Sequence, residues 1–194
     1  MLPTEVSLFR YHFRQYLKSL EDFTRRLYAK NPGCEPNLEL REKKIRQIFH
    51  GGLPYEARYL SLPSHELLTM AFAGDPGDDR VFVLGLGLVK SIRETYGEVD
   101  KSSFLSGLQL PLERLKRLHR NISHANWRLK SSRYPDGEPF FRANEAGEDG
   151  YINMGYEVIM TEILTRIADD IHLRGGLPEK YGFSASTLFV SLLL

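Results

Sequence analysis

The stretch ERLKRLHRNISHANWRLK, residues 113–130, holds two histidines, six basic residues, one tryptophan and a single acid. Paired imidazoles can ligate a metal or exchange protons. Arginine forks match phosphate oxygens two at a time. An indole ring can stack on an exposed base. Spacing selects among these. At 100° per residue on a helix, Leu115, Leu118, Ile122 and Leu129 fall within about 60° of one another and form a core face. Arg117, Arg120, His124 and Arg128 cluster within about 80° on the other side, flanked by Lys116 and Trp127. His119 and His124 point about 140° apart, whereas two histidine ligands on one helix stand three or four residues apart. No metal or cofactor is expected here, and His119 reads as a residue at the edge of the core.

The arginine stripe therefore reads first as a phosphate-binding face. Lys116, Arg117, Arg120 and Arg128 are the expected phosphate contacts, and His124 and Trp127 the expected contacts to a base or sugar. A catalytic reading exists beside it. Arg117, Arg120 and His124 share a face, and an imidazole among guanidinium groups can move a proton on an RNA 2′-hydroxyl while the arginines hold the phosphate. RLKRLH (Arg114 to His119) and RLHRNISH (Arg117 to His124) resemble the Arg-x4–6-His spacing of all-helical ribonucleases that need no metal, a spacing that any arginine-rich segment also meets by chance.

Other motifs are incomplete. SHELLTM begins like a zinc-protease helix, but Thr69 stands where the second histidine belongs. Gly85-x-Gly87 is followed by Lys90 in place of the third glycine of a dinucleotide fingerprint. DPGDD and NEAGEDG concentrate carboxylates without calcium-loop spacing. Cys34 is the single cysteine, which excludes an internal disulfide framework and fits a reducing compartment. His12, His50, His65 and His172 are scattered over four expected elements.

The elements that would position these residues are mostly helical. Phe9, Phe13, Tyr16, Leu20, Phe23 and Leu27 are spaced 4-3-4-3-4, an apolar helix stripe that Pro3-Thr4 opens and the NPG at 31–33 stops. It reads as a core-facing helix, or as the seam of a dimer. A second helix starts near Asn37 and ends before Gly51-Gly52, and a third takes Ser64 as N-cap and Gly74 as stop. VFVLGLGLVKSIRETYG reads as a helix rather than a buried strand. Asp78 and Asp79 at its start and Lys90 and Arg93 farther along suit the helix dipole. A short helix capped by Asp100, a turn at Gly107 and the long basic helix from Pro111 follow. Residues 139–158 are expected to form a β-hairpin turning near Asp149-Gly150. This order suggests a winged helix-turn-helix, although the core position of its second helix falls on Glu113. The last expected helix places Val158, Ile159, Ile163, Ile167 and Ile171 on one side and stops at Gly175-Gly176.

The 194 residues suffice for one sizeable core. The fold class expected is mainly α, a helical bundle-like domain with the hairpin, in a single composite domain over 1–194 with a sub-boundary near residue 75. No apolar run reaches the roughly 18 residues of a membrane span. Arg10 and Arg14 interrupt the N-terminal apolar pattern, which does not read as a signal peptide, so a cytoplasmic protein is expected and the sequon at Asn121 carries no weight. The net charge of +1 conceals segregation: residues 101–133 hold eight Lys/Arg against one acid, and residues 134–194 hold four against ten. A basic block of this kind suits nucleic acid or another polyanion, or else faces the acidic third of its own chain. The main alternative is a helical interaction module, a homo-oligomer joined through the 9–27 seam and the apolar tail FSASTLFVSLLL.

Overall fold

A computed structural model describes residues 4–51, 57–73, 79–100, 110–143 and 155–178. The helices are α1 (Thr4–Lys30), α2 (Leu38–His50), α3 (Ala57–Leu60), α4 (Ser64–Ala71), α5 (Arg80–Asp100), α6 (Leu112–Ser131) and α7 (Gly155–Leu173), with a 3-10 turn at Pro32–Cys34. The mainly helical expectation holds.

α5 is the central element, packed against α1, α2, α4 and α6, while α7 closes on α1 and α6. From Val81 to Val89 every residue of α5 is buried. A strand with two covered faces and a helix buried all round share this unbroken apolar signature, and its glycines make the helix work. A Cβ at Gly85 would sit 3.1 Å from Thr24 of α1 and 3.3 Å from Ile48 of α2. A Cβ at Gly87 would sit 3.0 Å from Leu68 and 3.2 Å from Leu67 of α4. The glycines thus admit three helices to one.

The aromatic stripe of α1 is wholly enclosed. Phe9, Phe13, Tyr16, Leu20, Phe23 and Leu27 are each no more than 5% exposed. This corrects the dimer-seam expectation: α5 and α7 of the same chain cover the stripe, leaving nothing of it for a second copy. Inside this core Asp170 is fully buried. Its carboxylate accepts from Tyr16 at 3.0 Å and from Tyr96 at 2.5 Å and meets His12 Nδ1 at 2.7 Å, joining α1, α5 and α7.

The hairpin expected over 139–158, and with it the wing of a winged helix-turn-helix, is corrected. No strand occurs among the described residues, and Gly155–Val158 are the first turn of α7. The pairing that does occur lies earlier, as an isolated bridge between Arg133 and Pro139 around Tyr134-Pro135-Asp136-Gly137. Gly137 takes φ +90, which glycine accepts without strain. Asp149-Gly150, the expected turn, and the expected helix at 101–107 lie outside the described residues, as does the apolar tail.

Two details of the caps also differ. Pro63 is the N-cap of α4, and the Ser64 hydroxyl donates to Glu94 instead of capping the helix. Val158 is 54% exposed, while Ile159, Ile163, Ile167 and Ile171 are buried. α2 begins next to Asn37 as expected, and Asn37 proves to be its N-cap, accepting from Leu40 N at 3.0 Å. No described helix is long and apolar enough to cross a membrane.

Candidate functional site

α6 is unbroken from Leu112 to Ser131, and Leu115, Leu118, Ile122 and Leu129 are buried. Fixing that leucine face fixes the rest. Arg114, Arg117 and Arg120 are exposed, and among the described residues none of the three side chains makes a hydrogen bond or an ion pair. Among the described residues of the acidic third, the ion pair made to this helix is at its end, where Lys130 pairs with Glu157 at 3.0 Å. Of the other carboxylates described on α7, Glu162 pairs with Arg166 and Asp170 with His12, while Asp169 is exposed and pairs with no cation of α6.

Two small clefts of about 100 Å3 each open along α6, one against α4 and the other against α5 and the start of α4. The first is lined by His65, Leu68, Thr69 and Phe72 from α4 and its end, and by Asn121, His124, Ala125 and Arg128 from α6. The second is lined by Ser64, by Ser91, Glu94 and Thr95 of α5, and by Arg114, Arg117, Leu118 and Asn121. Asn121 borders both, so the two clefts adjoin as a groove along α6, walled by α4 at one end and by α5 and the start of α4 at the other.

Of the six residues expected from sequence, the groove takes Arg117, His124 and Arg128. Arg114, Arg117, Asn121, His124 and Arg128 are spaced 3-4-3-4, which keeps them within an arc of about 80° on a helix. Lys116, Arg120 and Trp127 lie on the next strip round, outside the groove. Lys116 is held by Glu113 at 3.2 Å. Trp127 is half-buried, its ring stacked on that of His124 with 6.1 Å between centroids.

Arg128 is engaged within the fold. Its Nη2 donates to the carbonyl of Phe72 at 3.0 Å and its guanidinium lies 4.9 Å from the Phe72 ring centre. An arginine satisfying a carbonyl that α4 leaves open at its end fastens the two walls of the groove together. Burial lowers the Arg128 pKa from its ordinary value. Burial, with Arg128 as the second cause, holds the His124 imidazole below its ordinary pKa, so its neutral, proton-accepting form is favoured.

Sequence reasoning placed His65, Asn121 and Glu94 in no site and named Arg114 only in the ribonuclease-like spacing. The 3-4-3-4 spacing of Arg114 and Asn121 with Arg117, His124 and Arg128 was a usable signal. His65 and Glu94 enter through the packing of α4 and α5 on α6, which no local pattern encodes. Glu94 accepts from Ser64 N at 3.0 Å and from its hydroxyl at 2.5 Å, tying α5 to the start of α4. Among the described residues no three histidine, cysteine or acidic side chains stand close enough to hold a metal ion together. Compared with known proteins, the chain matches no family model, no curated protein and no solved structure.

Proposed function

We propose that the groove between α4 and α6, with the arginine face beside it, binds the phosphates of a nucleic acid. The observation that carries this reading is the row of exposed arginines, Arg114, Arg117 and Arg120, whose side chains make no ion pair with a carboxylate among the described residues. Unpaired guanidinium groups on a rigid helix present forked donors at fixed spacing to a polyanion. In this reading Arg114 and Arg117 hold phosphates along the groove, Arg120 holds one outside it, and Asn121 and His124 reach a sugar or base. The test is binding of a fluorescent single-stranded oligonucleotide. The Arg117→Glu/Arg120→Glu double variant, exposed at both positions, keeps its helical spectrum and loses binding at least tenfold. Binding equal to wild type overturns the reading.

One observation favours a second reading, RNA cleavage: His65 of α4 and His124 of α6 line the same cleft. Two imidazoles facing one phosphodiester can act as base and acid. Neutral His124 takes the proton from a ribose 2′-hydroxyl, whose oxygen bonds to the adjacent phosphorus. Protonated His65 gives its proton to the departing 5′-oxygen as that P–O bond breaks. The products are a 2′,3′-cyclic phosphate and a 5′-hydroxyl, with charge and atoms conserved. His65→Ala and His124→Ala should each lose cleavage while retaining binding, and a 2′-deoxy strand should bind uncleaved. Absence of a cyclic-phosphate end on any RNA supplied to wild type retires this reading and leaves the first intact.

A further inference from the structure

A larger pocket, of about 490 Å3, opens away from the groove. Its walls are the end of α1 (Lys30, Asn31), the 3-10 turn with Cys34, the start of α5 (Asp79, Arg80), and Tyr134, Phe140 and Arg142 of the loop after α6. Such a volume suits a small organic molecule.

Arg80 is the feature that needs explaining. It is 4% exposed. Its Nη1 donates to the carbonyls of Ala71 at 3.0 Å and Ala73 at 2.6 Å. Its guanidinium lies over the rings of Phe140 at 4.5 Å and Tyr134 at 5.4 Å. The Nε and Nη2 atoms are buried with no hydrogen-bond partner. Ring stacking meets the positive charge through the faces of the guanidinium, but the N–H bonds lie in its plane, so stacking leaves these donors unmet. Buried donors without acceptors are costly and rare. The two unmet atoms also form one edge of the fork, the edge that takes two oxygens of a carboxylate or phosphate side by side.

The surrounding charge fits an anion. Lys30 and Arg142 stand exposed at the rim. Arg142 meets Glu138 only at 3.7 Å, with both side chains more than 60% exposed. Asp79, the acid in the walls, is already occupied: it accepts from Tyr28 at 2.7 Å, Lys44 at 2.9 Å and Phe82 N at 3.0 Å. The start of α5, 21 residues long, forms part of the pocket wall, with Asp79 accepting from the Phe82 N–H of its first turn.

We propose that this pocket binds a phosphate monoester, with the Nε/Nη2 edge of Arg80 gripping two phosphate oxygens, Lys30 and Arg142 meeting the third, and the organic group lying against Tyr134 and Phe140. The Nε and Nη2 atoms are closed to water here, and the neighbouring Tyr134 and Phe140 side chains are only partly buried, so the ligand reaches that edge as these side chains shift. A phosphate suits the pocket better than a carboxylate because three cations line it and a dianion with three free oxygens has one for each of them.

Cys34 supplies a local readout, because it is the single cysteine of the chain and lines this pocket. Burial, and then Asp79, push its thiol up, so labelling with a disulfide reagent is followed at alkaline pH. Phenyl phosphate, with a Kd of about 1 mM, should slow labelling about tenfold at ~10 mM. Inorganic phosphate tests the other source of the same chemistry: equal protection assigns the pocket to free phosphate, and weaker protection to a monoester. The Lys30→Glu/Arg142→Glu variant, altered only at exposed positions, should label at the unprotected rate with either ligand. Arg80→Lys removes the fork and should do the same; if it fails to fold, the rim variant decides. The Arg117→Glu/Arg120→Glu variant should be protected like wild type, which separates this pocket from the groove. No protection of the wild type by either ligand, or undiminished protection in the rim variant, overturns the proposal.

Discussion

His124 shows how a single residue connects the fold to the proposed chemistry. It sits between Arg128 and the Trp127 ring in a half-buried position, and burial first, then Arg128, disfavours its charged form. The sign for stability follows from linkage. A depressed imidazole pKa contributes stability above the ordinary histidine value, and that contribution is lost as the pH falls through the folded-state value. Binding runs the other way. A phosphate arriving beside His124 places negative charge near the ring and raises its pKa. The groove should therefore take up a fraction of a proton on binding an oligonucleotide, and affinity should rise as pH falls through the interval between the free and bound values. Calorimetry in two buffers of different ionisation enthalpy measures that uptake. An uptake of zero, or one unchanged in His124→Asn, would place His124 outside the binding site. The sequence located His124 on the arginine side of the helix, which its angle alone decides. It did not reveal that Arg128 on the same side is tied to Phe72, because that partner lies 56 residues away.

At the scale of elements, the groove exists because α4 comes close enough to α6 to wall it, and α4 is set by its fit against α5. Gly87 is the point of closest fit. A side chain there would meet Leu68 Cδ2 and also Leu67 Cβ, an atom fixed to the α4 backbone. Replacing glycine by alanine within a helix ordinarily stabilises by about 1 kcal/mol, but filling a packed interface costs about 1–3 kcal/mol. Gly87→Val adds the larger volume and β-branching, so overpacking prevails. The variant should lose about 2 kcal/mol in chemical denaturation and bind oligonucleotide more weakly, because α4 carries His65 away from α6. Full stability would mean that α4 does not pack as tightly as the glycine implies. The helices of the bundle were legible in the sequence wherever one stripe faced the core, as in α1 and α6. The stretch 81–89 was harder because burial on all sides erases periodicity. The hairpin was misplaced because turn chemistry is local and cheap. Pro135-Asp136-Gly137 and Asp149-Gly150 both have it, and the ladder that would make a strand depends on partners that composition does not specify.

At the scale of the whole molecule the charge of +1 says nothing about binding, and its distribution says a good deal. An acidic third could have neutralised the basic block from within. Three of the described carboxylates of α7 are directed instead at Lys130, Arg166 and the buried His12, the fourth, Asp169, is exposed without a pair among the described residues, and Arg114, Arg117 and Arg120 stay exposed. Surface pairs contribute little to folding in any case, so leaving these arginines unpaired costs the fold almost nothing and leaves them available to a ligand. Their worth to a polyanion comes from counterion release, and it can be counted. Three phosphate contacts on a single strand give a slope of log K against log salt of about −2, so raising salt from about 50 to about 200 mM weakens binding roughly fifteenfold. Reversing Arg117 and Arg120 removes two of the three contacts and adds two repulsive charges, so what binding remains should show a slope near about −1 or shallower. The slope measures contacts irrespective of sequence and of any cleavage. A wild-type slope near zero would mean that whatever binds here is not held by its phosphates, and the arginine face would then be only a solvated surface of the bundle.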